Sequence, residues 1–147
     1  MNKAINYEID FYEWALYNAQ LLREGRLSEI DVEHLIEELE DMGNNKQELA
    51  SRFIVLIGHL LKWEYQPNHR SSSWQGSIDE QRVQINRLIR KKPSLKPGLL
   101  DAANDAYFDA VKIAIKETGI SKANLPQENP YTMEQLLDEE FYPEAKN

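Results

Sequence analysis

The segment KQELASRFIVLIGHLLKWEYQP, residues 46–67, decides how this chain folds. Leu49, Phe53, Leu56, Ile57, Leu60 and Leu61 recur at helical spacing and line one broad face, while Ile54 and Val55 extend the apolar surface around the cylinder. A helix apolar over most of its circumference is surrounded by other helices. Pro67 sets its end, because the residue before a proline is pushed out of the α region. The segment predicts an interior helix over 46–66.

The flanking sequence repeats the helical period. Residues 11–24 form a first helix, opened by Asp10 with Glu13 and stopped by Gly25, with Phe11, Trp14, Ala15, Leu21 and Leu22 on one side. Residues 31–42 form a second, capped by Asp31, with a stripe of Val32, Leu35, Ile36, Leu39 and Met42 and with Glu33, Glu37, Glu40 and Asp41 on the far side. Gly43, Asn44 and Asn45 suggest a turn there, a helix continuous through Gly43 being the alternative. Beyond Pro67 a helix begins near 73–77, with Ser72/Gln75 and Ser77/Glu80 both fitting a capping box, and runs to about Lys91. A further helix over 95–118 starts after Ser94, carries small residues at Ala102, Ala103, Ala106, Ala110 and Ala114, and ends at Gly119. Thr132 with Gln135 caps a final helix, MEQLLDEEF, whose Leu136, Leu137 and Phe141 are expected to dock on the others. No stretch sustains period-two alternation. The expected fold class is all-α: a single-domain bundle of four to five helices plus a short C-terminal helix, over residues 1–147.

Composition narrows the function. The chain has 147 residues, 41% hydrophobic and 29% charged, too apolar for disorder. Its net charge of −8 repels phosphate backbones and argues against nucleic acid as a partner. The absence of cysteine excludes disulfides and thiolate metal sites. The N-terminus has no apolar core of signal-peptide length, and no apolar run approaches the ~20 residues of a membrane span. A cytoplasmic protein without a membrane segment is expected.

Chemistry-bearing residues gather where the central helix ends. Arg52, Val55, His59, Lys62 and Gln66 share its rear stripe, and Trp63, His69, Arg70, Ser73 and Trp74 follow, with Gln81 and Arg82 one helix on. Two readings compete. In the first, the cations pair with carboxylates, notably the acidic 33–41 stretch, and the tryptophans anchor a corner. In the second, the N-terminus of the following helix, with Lys62, His69, Arg70, Ser73 and Arg82 around it, holds a small anion or nucleotide. Metal chemistry is thin. Of His34, His59 and His69, none follows a glutamate by three positions; Asp31 precedes His34 by three, and His34 and His59 with a carboxylate such as Glu37 or Glu38 make a mononuclear alternative. No phosphate loop, dinucleotide fingerprint or nucleophile elbow occurs. No metal or cofactor is expected.

The stretches DFYEW (10–14), LLREGR (21–26), HLIEELEDMG (34–43), HLLKWEYQP (59–67), RSSSW (70–74), QR (81–82), PSLKP (93–97), ETG (117–119) and NPYTMEQLLDEEFYP (129–143) together resemble domain of unknown function 29, a bacterial family common in cyanobacteria. The resemblance covers almost the whole chain. It implies a compact helical domain and carries no activity with it. The expected function is a non-enzymatic helical interaction module, binding a protein partner or a second copy of itself. The competing expectation is a ligand-binding or hydrolytic protein acting on a small anion, a nucleotide or a nucleic-acid-related ligand at the Lys62/Arg70/Ser73/Trp74/Arg82 corner.

Overall fold

The computed structural model describes residues 5–146, except for the side chains of Met42 and Gly43. Among the described residues there are five α-helices and no strand: α1 (Phe11–Arg23), α2 (Val32–Tyr65), α3 (Ser72–Lys91), α4 (Leu99–Thr118) and α5 (Met133–Leu137), with 3-10 turns at Pro67–His69, Pro93–Gly98 and Lys122–Asn124. The all-α expectation holds. The residues fall into two compact units, one ending at Gly43 and the other beginning at Asn44.

In the first unit, Asp10 caps α1 by accepting from the Glu13 amide at 3.0 Å. Gly25, at φ +70°, ends it in a Schellman motif: the Arg26 amide donates to the Leu21 carbonyl and the Gly25 amide to that of Leu22. The buried face of α1 is Trp14, Asn18 and Leu21. Phe11 and Leu22, expected to be inside, are about half exposed.

The expected break at Gly43 does not occur, and α2 runs unbroken for 34 residues. A glycine inside a helix costs only about 1 kcal/mol, which the packed turns beyond it offset. The stripe over 31–42 is also corrected. Val32, Ile36 and Leu39 are exposed, Leu35 is half-buried, and Met42 lies outside the described residues.

The second unit is built around the rest of α2. Leu49, Phe53, Leu56, Ile57, Leu60 and Leu61 are buried there with Ile78 and Ile85 of α3 and Ala103, Ala106, Ala110 and Ala114 of α4. The alanines let α4 come close: a Cβ placed on Gly58 would sit 3.7 Å from the Ala110 carbonyl oxygen, ordinary van der Waals contact. Gly58→Ala is therefore expected to stabilise the protein by about 0.5–1 kcal/mol, through reduced freedom of the unfolded chain and better helix propensity. A thermal melt checks this, and a fall in Tm would show that the α2–α4 contact is tighter than its geometry indicates.

Three boundaries differ from expectation. The cap of α3 is Ser71, whose Oγ accepts from the Trp74 amide at 3.2 Å, rather than Ser72 or Ser77. Three successive serines cap equally well, so local sequence cannot choose among them. Residues 93–98 form a 3-10 turn and α4 starts at Leu99. Pro97 disfavours the α region at Lys96, and Pro93 and Pro97 lack the amides a longer helix would use. Finally, α5 stops at Leu137, with the Thr132/Gln135 capping box present. Asp138 leaves the helical region at ψ 113° and ends it.

Candidate functional site

The corner between α2 and α3 is a set of cations lying on aromatic rings. Lys62, buried on α2, donates to Oε2 of Glu117 at 2.5 Å, and its ammonium lies 5.0 Å from the ring centre of Trp74. The Lys62 hydrogen bond holds the Glu117 carboxyl below its ordinary value. The partner expected for this cation was the acidic 33–41 stretch; it comes instead from the last turn of α4. Arg70 stacks on Trp63 at 4.7 Å and donates from Nε to the Trp63 carbonyl at 2.9 Å. Its Nη2 is a buried nitrogen without a hydrogen-bond partner among the described residues. Trp63 in turn packs on Tyr142, with ring centres 5.0 Å apart.

Arg82 is the most enclosed charge, with no solvent exposure. Its guanidinium fans out over three main-chain carbonyls: Nε to Leu136 at 2.9 Å, Nη1 to Phe141 at 2.6 Å and Nη2 to Gln135 at 3.1 Å. Asn86, one turn on, donates to the Leu137 carbonyl at 3.3 Å. The carbonyls of Gln135, Leu136 and Leu137 are those a longer α5 would offer to residues 139–141; with α5 ended at Leu137, side chains of α3 satisfy them instead. The Tyr142 hydroxyl donates to Asp79. Thus the aromatics of the 131–142 arm face inward: Tyr131 is buried, and Phe141 and Tyr142 pack on the core. Burial pulls the Arg82 guanidinium below its ordinary value.

The other sequence candidates make their hydrogen bonds outside this arrangement, although His59 lies within electrostatic reach of Lys62 and Glu117. His59 donates from Nδ1 to the Val55 carbonyl at 2.8 Å, which fixes its proton there, and burial pulls its pKa down. Gln81 accepts from Arg52 at 3.2 Å. His69 and Ser73 are exposed. Among the described residues no group of three His, Asp or Glu side chains could hold a metal ion.

In the first unit Asp31 is the hub. It accepts from Trp14 Nε1 at 2.9 Å and from His34 Nδ1 at 2.7 Å, while its own amide donates to Asn18 at 2.8 Å. Tyr7 stacks on His34 with ring centres 4.1 Å apart and donates its hydroxyl to Glu38. Burial pushes the Asp31 carboxyl up, but its hydrogen bonds from His34 and Trp14 outweigh this and hold it below its ordinary value. The hydrogen bond to Asp31 raises His34. Asp31's contribution to stability is present above its unfolded pKa and lost as pH falls through the lowered folded one. His34's is present below its unfolded pKa and lost as pH rises through the raised folded one. Together they support this unit most between about pH 4 and pH 6.5. Amide exchange over residues 11–41 is expected to speed up, beyond the intrinsic effect of pH, on going from about pH 6 to pH 8. His34→Gln should remove that extra acceleration. Equal pH dependence in parent and variant would sink this account.

The same unit carries the feature that sequence reasoning missed. Val32, Ile36 and Leu39 make an exposed apolar stripe on α2, bordered by exposed Glu33, Glu37 and Glu40. Ile9, Tyr12 and Leu16 are likewise exposed at and along α1, at 84%, 70% and 51%. Residues 1–43 contain eleven Asp and Glu against three Lys and Arg, so they hold the entire net charge of −8; residues 44–147 contain fourteen of each sign. The periodicity that marked the α2 stripe as core reports which face is apolar and not what covers it. The uneven charge was legible, once the chain is divided at Gly43.

No helix among the described residues is long and apolar enough to cross a membrane. Comparison with curated proteins and with solved structures returns no match. The family resemblance is borne out by the family model described as Domain of unknown function DUF29, which matches residues 6–142, and the chain belongs to that family.

Proposed function

We propose that the chain is a cytoplasmic, non-enzymatic helical interaction module, and that its first unit docks a cationic amphipathic helix of a partner protein. The observation that carries this reading is the exposed Val32/Ile36/Leu39 stripe with its acidic border, within a unit that holds all of the net charge. An apolar stripe offers burial to another helix, and the carboxylates beside it select a partner whose flanks are Lys and Arg. A second copy docking through the same face would set Glu33, Glu37 and Glu40 against themselves, so charge favours a different, basic partner.

The corner cations support a structural role instead: Lys62 is paired, Arg70 is stacked and Arg82 is bonded to main chain. The test uses a designed helical peptide of leucine and lysine and its leucine–glutamate counterpart, followed by fluorescence anisotropy. The lysine peptide is expected to bind, more weakly at about 0.5 M than at about 0.05 M salt. Ile36→Glu should weaken it about tenfold or more, since it places a charge in the apolar contact. Equal binding of both peptides, or an unaffected Ile36→Glu variant, would overturn the reading.

A further inference from the structure

A second feature lies on α4, within the second unit. A groove of about 590 Å³ runs between α4 and the 122–127 loop. Phe108, Val111 and Ile115 form one wall, and Leu125 and Pro126 the other. The loop is held in place by the Tyr107 hydroxyl, which donates to the Pro126 carbonyl, and by Leu125, which is buried. Phe108, 60% exposed, lines the groove beside the Tyr107 ring.

The polar groups of this groove are of one sign. Lys112 from α4 and Lys122 from the loop both line it, and no Asp or Glu does. Neither ammonium has a hydrogen-bond or ion-pair partner among the described residues. The volume falls within the roughly 300–1,000 Å³ of small-ligand sites and is too small for a folded partner. An extended peptide fits poorly as well. Its amides would be laid on an apolar floor with Gln127 as the one uncharged polar side chain still free to pair, and unpaired buried amides are costly. A chain of methylenes has no such groups.

We propose that the groove between α4 and the 122–127 loop binds an unbranched alkyl carboxylate, its hydrocarbon against Phe108, Val111, Ile115 and Leu125 and its carboxylate at Lys112 and Lys122. The site is a binding site, with no bond made or broken. Decanoate is the probe, with decanol as its uncharged counterpart, both measured by calorimetry on the full chain. Decanoate is expected to bind at least about tenfold more tightly than decanol, each added methylene tightening binding by about two- to fourfold. The double variant Lys112→Glu, Lys122→Glu should lose at least about tenfold for decanoate and little for decanol. Both lysines are exposed, so the fold is expected to survive, and an unchanged melt confirms it. Amide shift changes should centre on residues 108–115 and 122–127. No binding, equal affinity for decanol, an unaffected double variant, or shifts centred elsewhere would each overturn the proposal. The lysine–leucine peptide result bears on residues 1–43 alone, so the two readings stand or fall separately.

Discussion

Arg82→Ala is expected to cost at least about 3 kcal/mol, because three carbonyls lose their donor at roughly 1–3 kcal/mol each where no water replaces it. For a chain of this size that corresponds to a fall in Tm of about 6–12 °C. The loss should be uneven. Amides of residues 131–142 depend directly on the guanidinium, through the carbonyls of Gln135, Leu136 and Phe141, and should exchange first. Arg82→Lys is not expected to rescue, because a single ammonium cannot reach three carbonyls in the plane of a fork. Arg87→Ala, an exposed neighbour on α3, serves as the control and should stay within about 0.5 kcal/mol. If Arg82→Ala melts like the parent, the arm is held by its apolar contacts and the guanidinium is dispensable.

Trp14→Ala is the second large effect, and its expected signature is locality. Trp14 is 2% exposed, packs edge-on against Tyr7 at 4.8 Å and donates to Asp31. Removing a buried tryptophan costs about 3–5 kcal/mol. Amide protection across α1 and the 31–41 part of α2 should collapse, while the amides of Phe53, Leu56 and Leu60 stay protected. Uniform loss over the whole chain, or none, would show that the two units do not respond separately.

How much of this was legible in the sequence depended on whether the deciding physics was local. Pro67 stopped α2 where read, because proline constrains its neighbour without help from elsewhere. Gly25 and Gly119 ended their helices for a similar reason, both adopting positive φ. Gly43 misled, because glycine, unlike proline, only weakens a helix, and packing beyond it decides. The 46–66 stripe was read as interior and is; the 31–42 stripe looked the same and is exposed. The corner was legible as a cluster, but its wiring was not. Nothing local to Lys62 points to Glu117, 55 residues away, and nothing local to Arg82 points to carbonyls between 135 and 141. Main-chain acceptors leave no compositional trace, so an arginine that serves them looks like one that serves a ligand.

That wiring also has a consequence in time. Arg82's acceptors lie 53, 54 and 59 residues downstream of it. At a translation rate of about 5–20 residues per second, the guanidinium emerges some 3–12 s before anything exists to receive its hydrogen bonds. Over that interval the nascent α2–α3 hairpin must keep a full charge hydrated at what will become its driest point, so it cannot close over that position early. Final closure of the second unit over Arg82 is therefore expected to follow synthesis of the arm.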